Sequence, residues 1–207
     1  MDLTGAPAGA VLPGTALRMV RHGESTYNAL ELVQGQLDRP RLSRRGRDQA
    51  RRLAERLTPR PPGLLISSDL GRAFETASLI AEVVDAPIVC DERLRERSMG
   101  ALEGWPLRVV EVAHSGIAGQ TVVDADARPP GGESLRELYA RVADFLTNAR
   151  TLDLAEDVVV VTHGGWIRTA GAFVAGHPPD AMPWPPVHNA AIFDLTRAPR
   201  ASERLTT

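Results

Sequence analysis

The sequence VVVVTHGG at residues 158–165 decides the fold that this chain can adopt. Four consecutive valines are typical of a parallel strand that helices cover on both faces. The run ends in a histidine and two glycines, after which the sequence predicts a helix from 165 to about 175. A second apolar run, at 16–20, ends in a similar way, in Arg21-His22-Gly23. We interpret both runs as strands of one sheet whose ends share one functional site.

The rest of the chain alternates between strand and helix patterns. We predict further strands at 64–67, 88–90 and 190–195. We predict helices after the capping residues Ser43, Ser68 or Asp69, and Ser134. This alternation predicts an α/β fold, a three-layer sandwich with a mainly parallel sheet flanked by helices.

Residues 97–133 break this alternation. Pro106 favours the start of a helix, and 128–132 is rich in proline and glycine. We predict that 97–133 is a helical and loop insertion over the active-site edge of one domain spanning 1–207. The ends, 1–14 and 198–207, are expected to be flexible.

Composition limits the class of protein. The 207 residues suit one domain, and a net charge of -2 does not favour binding to nucleic acid or an anionic membrane. One cysteine, Cys90, permits no internal disulfide and fits a reducing compartment. The first 14 residues do not resemble a signal peptide, and no apolar run approaches the roughly 20 residues of a membrane span. We therefore predict a cytoplasmic protein with neither nucleic acid nor membrane as a partner.

The predicted strand ends supply groups suited to a phosphoryl ligand. A histidine such as His22 can attack phosphorus near neutral pH, and Arg21 offers a fork for anionic oxygens. Arg72 would lie in the first turn of the helix after 64–67, and His163 follows the valine run. Ligands of open α/β sheets bind at the carboxyl ends of strands, so we predict that these groups converge on one dianion.

Each of these residues, taken alone, is more often structural than catalytic. The convergence of three strand ends on one chemistry favours the functional interpretation. Charge-assisted bonds of roughly 1.5–3 kcal/mol each would hold a phosphoryl group without a metal. The two histidines lack the His-x-x-x-His spacing of a metal site and have no nearby carboxylate pair, so we predict neither metal nor cofactor.

Five motifs, in order along residues 16 to 195, resemble those of the histidine phosphatase superfamily, the phosphoglycerate mutase-like group. They are Arg21-His22-Gly23-Glu24-Ser25 with Asn28; 67–73 (SSDLGRA) with Thr76-Ala77; Leu94-Arg95-Glu96 before Gly100; Gly132-Glu133-Ser134; and Thr162-His163-Gly164-Gly165.

The resemblance implies a role for each matched residue. His22 would be the nucleophile that becomes phosphohistidine. Glu96 would protonate the leaving oxygen and then help to activate water. The phosphate pocket would consist of Arg21, Arg72 and His163, with supporting contacts from Asn28 and Ser25. A homodimer is also expected from the resemblance.

The resemblance leaves a choice between hydrolysis and mutase activity. Mutases of this family carry an aromatic residue three positions after the acid, where this chain has Met99, and a tandem arginine pair in the insertion, where Arg108 and Arg128 stand apart. The sequence 103–105 (EGW) is similar to the phosphatase branch. We therefore predict a phosphomonoester hydrolase of the histidine acid phosphatase type, with a cofactor-dependent phosphoglycerate mutase as the alternative.

The substrate is expected to be a small phosphorylated metabolite. The sequence 34–38 (QGQLD) is similar to phosphatases acting on sugar phosphates or glucosyl-phosphoglycerate. Met99, Trp105 and Trp184 would either form an apolar wall at the mouth or pack beneath the insertion.

A rival hypothesis starts from the basic segment 39–52, which carries seven arginines. Such a segment could serve a non-catalytic module that binds nucleic acid or protein. It contains no interleaved aromatic residue, and all 24 basic residues of the chain are arginines. We therefore interpret it as a solvated helix face.

Overall fold

A five-stranded sheet forms the centre of the fold. The computed structural model describes residues 17–113, 124–149 and 157–195. The strands are β1 (Leu17–Arg21), β2 (Leu64–Ser67), β3 (Ile88–Cys90), β4 (Val158–Thr162) and β5 (Ile192–Asp194), in the order β3-β2-β4-β1-β5. All neighbouring strands are parallel except β5, which runs antiparallel to β1. The predicted mainly parallel α/β sheet is confirmed.

Helices cover both faces of this sheet. They are α1 (Thr26–Ala29), α2 (Arg44–Leu57), α3 (Gly71–Val84), α4 (Leu107–Ala113), α5 (Leu135–Ala149) and α6 (Gly164–Val174). Short 3₁₀ turns lie at Glu92–Leu94, Gly100–Leu102 and Pro179–Ala181. The predicted flexible ends, 1–14 and 198–207, lie outside the described residues, as does the middle of the predicted insertion.

The valine run of β4 explains the three layers. Val159 and Val161 pack into a core with residues of α2 and α3. Val158 and Val160 point to the other face and pack with residues of α5 and α6, Trp166 among them. Successive side chains of a strand alternate between faces, so a run that is apolar at every position requires helices on both sides.

The predicted caps of α2 and α5 are confirmed, and the predicted cap of α3 is wrong. The Ser43 hydroxyl accepts a hydrogen bond from the Gly46 amide at 3.0 Å, and Ser134 caps α5. Helix α3, in contrast, begins after Leu70, which has no capping side chain. The predicted caps Ser68 and Asp69 lie before the observed start: the Ser68 hydroxyl accepts from the Leu70 amide at 3.3 Å and also contacts a histidine ring, and Asp69 pairs with an arginine.

The strand order brings the two histidines together. In the β1–β4 pairing, Arg21 lies opposite Thr162, so the next residues, His22 and His163, leave the sheet at the same edge. The turn after β1 also lies against the start of α2: a Cβ on Gly23 would stand 2.4 Å from the Gly46 carbonyl oxygen. Glycine is therefore required beside the histidine.

Within the three described ranges, we find no helix with the length and apolar character needed to cross a membrane.

Candidate active site

His22 is buried just beyond β1, with its ring fixed by the backbone. It is 2 % exposed, and its Nδ1 lies 2.7 Å from the Gly23 carbonyl oxygen. A carbonyl only accepts, so Nδ1 carries the proton and Nε2 keeps a lone pair. Burial lowers the pKa of His22 well below its usual range, and the guanidinium groups of Arg72 and Arg21 lower it further. A neutral imidazole with an available Nε2 is the form that can attack phosphorus.

His163 is fixed in the opposite way, through Nε2. It lies at the start of α6, fully buried, with Nε2 2.9 Å from the Ser68 hydroxyl oxygen. That oxygen also accepts a hydrogen bond from the Leu70 amide at 3.3 Å, and we infer that the hydroxyl donates its own proton to Nε2. Burial lowers the pKa of His163 well below its usual range, and Arg72 adds to the effect. The neutral ring therefore carries its proton on Nδ1.

Two arginines flank the histidines. Arg72, in the first turn of α3, is 1 % exposed and donates from its terminal nitrogens to the carbonyls of Leu37 (2.9 Å) and Gly35 (2.8 Å). Burial lowers the pKa of Arg72 to about 10, so it stays cationic at neutral pH. Arg21 donates to the Val187 carbonyl.

Three buried nitrogen atoms around the histidines lack a hydrogen-bond partner within the described ranges: Nε of Arg21, Nε of Arg72 and Nδ1 of His163. Both arginines act electrostatically on both rings, and the His22 and His163 ring centroids are 5.1 Å apart. Buried donors almost always have partners. Three unsatisfied donors beside the two rings are suited to an anion with several oxygens, and we call this group of donors the cradle.

Glu96 lies at the rim of this cradle. Its Oε2 accepts a hydrogen bond from the Gly165 amide and its Oε1 one from the Arg97 amide, both at 2.9 Å. It interacts electrostatically with both Arg21 and Arg72. A Cβ on Gly165 would stand 2.4 Å from Oε1, so the second glycine after His163 makes room for this carboxylate.

Comparison with known families decides the assignment. The family model described as "Histidine phosphatase superfamily (branch 1)" matches residues 17–205. The chain belongs to the histidine phosphatase superfamily. This superfamily comprises phosphatases and mutases.

Individual superfamily members differ in the activity that their names state. A protein named probable phosphoglycerate mutase GpmB, from Salmonella paratyphi C, is 40% identical over 147 residues, 70% of this chain and 68% of that protein. The mycobacterial glucosyl-3-phosphoglycerate phosphatase structure has a TM-score of 0.74 at 32% identity, covering 87% of this chain and 89% of that one. A phosphoserine phosphatase mutant from Entamoeba histolytica, in complex with phosphoserine, has a TM-score of 0.75 at 25% identity, with the same coverage.

Ser25 and Asn28, the predicted supporting residues, form the cap of α1. The Ser25 hydroxyl accepts from the Asn28 amide at 3.0 Å and lies 2.6 Å from Oε1 of Gln34, to which it donates. Oδ1 of Asn28 accepts from the Ser25 amide and from the side chain of Asn189. Contacts from Ser25 and Asn28 to a phosphoryl oxygen stay predictions. In this structure Ser25 holds Asn28, and Asn189, which sequence reasoning missed, also bonds the His22 carbonyl at 3.1 Å.

The loop at 34–38 positions Arg72. Its carbonyls hold both terminal nitrogens of that arginine. Glu103 in turn holds the loop, because its Oε1 accepts from the amides of Gln36 (2.8 Å) and Met99 (3.0 Å). A Cβ on Gly35, at φ +47°, would stand 2.0 Å from that oxygen. Gln36 also donates to the Glu96 carbonyl at 2.9 Å.

Arg141 on α5 supports the acid and was not found from the sequence. It donates to the carbonyls of Arg93 (2.8 Å) and Arg95 (2.7 Å) and pairs with Glu133 at 2.7 Å. These bonds fix the backbone that carries Glu96. A charged residue on a helix gives no local sign of such a contact, which forms only in the tertiary structure.

The arginines of the basic segment 39–52 face outward, while Leu42, Gly46 and Ala50 of the same segment are buried. Four of its arginines pair with carboxylates: Arg41 with Asp38, Arg45 with Glu24, Arg47 with Glu75, and Arg51 with Asp48. These pairs neutralise much of the segment's charge. Within the described residues, we find no group of three or more His, Cys, Asp or Glu side chains placed to hold a metal ion.

Proposed function

We propose that this protein is a phosphomonoester hydrolase that transfers the phosphoryl group to His22 and then to water, with no metal. The observation that carries the proposal is the set of three buried donors without partners, on Arg21, Arg72 and His163, around a neutral imidazole. The transition state of phosphoryl transfer spreads negative charge over three oxygens, and fixed donors stabilise it without reorganising.

In the first step, Nε2 of His22 attacks phosphorus and the ester P–O bond breaks. The leaving oxygen takes a proton from the Glu96 carboxyl, a contribution worth roughly 10²–10⁴ in rate. The ring becomes a phosphorylated imidazolium, and its Nδ1–H remains bonded to the Gly23 carbonyl. In the second step, water attacks phosphorus, the P–N bond breaks, Glu96 takes the water proton, and phosphate leaves.

Several features support hydrolysis over isomerisation. Met99 replaces the aromatic residue of mutases, and Arg108 and Arg128 are separated in the insertion. Two of the similar solved structures carry phosphatase names. The relative named probable phosphoglycerate mutase favours the second candidate function, a cofactor-dependent phosphoglycerate mutase.

The proposed substrates are small phosphorylated metabolites, with sugar phosphates and glucosyl-phosphoglycerate as the first compounds to try. A cytoplasmic location, a homodimer and the lack of a nucleic-acid partner stay predictions. If the basic segment 39–52 formed a binding module instead, the protein would bind DNA or RNA with steep salt dependence and release no phosphate.

The test is a panel assay. Phosphate release from p-nitrophenyl phosphate is measured with and without EDTA, and 3-phosphoglycerate is followed for both phosphate release and isomerisation. We expect hydrolysis that survives EDTA, and a radiolabel on the protein that is labile to acid and stable to base. Isomerisation faster than phosphate release would reject the hydrolase in favour of the mutase, and loss of activity in EDTA would reject the metal-free mechanism.

A further inference from the structure

Arg168, one turn into α6, lies beside the cradle and is not among the residues that we predict to bind phosphate. A Cβ on Gly164 would stand 3.3 Å from Nη1 of Arg168 and 3.5 Å from Nε of Arg21. The two guanidinium groups therefore face the same small space at the start of the helix. We infer that Arg168 is a specificity-determining residue that binds a second anionic group of the substrate, of the carboxylate class.

The Arg168 side chain is fixed in this position. Its guanidinium carbon lies 4.9 Å from the ring centroid of Trp184, and its Nε donates to the Pro185 carbonyl at 2.7 Å. An arginine that is stacked and bonded through Nε keeps its terminal nitrogens free to bind a planar anion. Both anchors come from the proline-rich loop that also holds Arg21 through the Val187 carbonyl.

Arg168 also differs from most other arginines in having no carboxylate within ion-pair distance in the described parts of the chain. Eleven others form such pairs: Arg18, Arg41, Arg45, Arg47, Arg51, Arg60, Arg93, Arg95, Arg128, Arg136 and Arg141. Burial lowers the pKa of Arg168, and the more distant charge of Glu96 opposes that effect. An anion that binds beside a half-buried cation without a nearby counter-ion gains favourable electrostatic energy.

The charges around Arg72 and Arg168 differ. Arg72 interacts electrostatically with Glu96, Glu103 and Asp38, whereas the charge that opposes the burial of Arg168 is that of Glu96. Glu96 must be protonated to act on the leaving oxygen, and it then no longer balances Arg168. A carboxylate on the substrate would supply the opposing charge in that form of the site.

The position of Glu96 places that carboxylate. The leaving oxygen must lie beside Glu96, so the rest of the substrate continues from there. Glu96 interacts electrostatically with Arg168 as well as with Arg21. A carboxylate two or three bonds beyond the leaving oxygen is thus close to the free end of Arg168. This inference rests on the proposed function, because it assumes that the phosphoryl group occupies the cradle.

The test compares two compounds with the same carbon chain, 3-phosphoglycerate and glycerol 1-phosphate, which differ by a carboxylate in place of an alcohol. We measure kcat/KM for phosphate release from both, in the wild type and in Arg168→Met. We expect the ratio of the two values to fall about tenfold or more, the size of one lost charge-assisted bond. Arg168→Lys should fall less, because it keeps the charge. Arg128→Met, which removes an exposed paired arginine, is the matched control and should leave the ratio unchanged.

A binding measurement separates this inference from the proposed function. Calorimetric titration of the His22→Ala protein with both compounds needs no turnover. In the His22→Ala protein, 3-phosphoglycerate should bind with a lower Kd than glycerol 1-phosphate, and the further change Arg168→Met should remove this difference. Equal losses for both compounds, or no preference to lose, would overturn the role of Arg168. A wild type that binds 3-phosphoglycerate through Arg168 and releases no phosphate would instead reject the hydrolase. If Arg168→Met does not fold, as judged by its thermal transition, Arg168→Gln takes its place.

Discussion

The ends of β1 and β4 carry the same dipeptide, His-Gly, and hold the histidine in opposite ways. The β1 histidine, His22, is fixed through Nδ1 by a carbonyl of its own loop. The β4 histidine, His163, is fixed through Nε2 by the hydroxyl of Ser68, which follows a different strand. Both rings are buried, and the pKa of each is lowered by its burial.

This difference separates two chemical roles. Fixing Nδ1 of His22 leaves the lone pair of Nε2 for attack, while fixing Nε2 of His163 leaves an N–H at Nδ1 for donation. One ring can therefore form a bond to phosphorus while the other stabilises its oxygens. The two dipeptides are identical, so the difference in proposed role comes from the group that hydrogen-bonds each ring: the Gly23 carbonyl for His22 and the Ser68 hydroxyl for His163.

The largest effect is expected from His22→Ala. Removing the attacking nitrogen should lower kcat/KM for p-nitrophenyl phosphate about 10⁴-fold or more and abolish phosphoenzyme, because the donors alone form no covalent intermediate. The measurement is steady-state turnover combined with trapping of acid-labile label. The exposed His177 is the matched control, and His177→Ala should keep full activity. A labelled protein in the absence of His22 would assign the nucleophile to the other histidine.

A smaller effect is expected from His163→Ala. This change removes one donor to the transition state and keeps the nucleophile, so kcat should fall about 10²–10³-fold while phosphoenzyme still forms. Rapid-quench labelling measures the rate of its formation. Complete loss of labelling in a folded His163→Ala protein would contradict the division of roles.

The neutral state of both rings predicts a dependence of stability on pH. In the unfolded chain each imidazole has its ordinary pKa of about 6.5, and burial lowers the pKa of His22 and His163 in the folded protein. Below pH about 6.5 the unfolded state binds protons that the folded state does not. The free energy of unfolding is therefore highest above that pH and decreases as the pH falls through it.

The slope averages about 0.7 kcal/mol per pH unit for each ring between pH 7.5 and 5.5, and approaches about 1.4 kcal/mol per pH unit below that range. Urea unfolding between pH 7.5 and 5.5 measures it. His163→Gln should remove half of the slope, and a substitution of the exposed His177 should leave it unchanged. A flat profile over this range would mean that the folded rings take up protons at the same pH as the unfolded rings, and burial would then not hold them neutral.

Much of the fold could be predicted from local patterns, because the strands and helices bury one face or two and their side chains repeat accordingly. The four valines of β4 and the cap at Ser43 are examples. The predicted cap of α3 was wrong: the helix begins after Leu70, and the Ser68 hydroxyl, which bonds the Leu70 amide, also contacts the His163 ring, 95 residues away. Sequence patterns report local partners and not distant ones.

The same limit applies to the site. Residues that follow strands could be predicted because parallel strands end at one edge, and the structure brings His22, His163, Arg21 and Arg72 together there. Residues that hold them, such as Arg141, contact backbone carbonyls from a distant helix. The spacing of Arg141 along its helix does not distinguish it from the other arginines of the chain, because its partners come close only in the folded protein.

The smallest effect is expected from Ser68→Ala, which tests the comparison most directly. Without the hydroxyl, Nε2 of His163 has no donor, and the ring no longer favours the form with its proton on Nδ1. We expect about a tenfold loss of kcat/KM, the share of one oriented hydrogen bond, with the nucleophile untouched.

Ser67→Ala is the matched control, because this neighbouring serine is equally buried but donates to a carbonyl at 2.8 Å. The kcat/KM of Ser67→Ala should fall less than about twofold. Nitrogen chemical shifts of the His163 ring give the second readout: in Ser68→Ala they should report a mixture of the two neutral forms. If Ser67→Ala and Ser68→Ala lose the same activity and leave these shifts unchanged, Ser68 serves packing alone, and the proton of His163 is placed by another group.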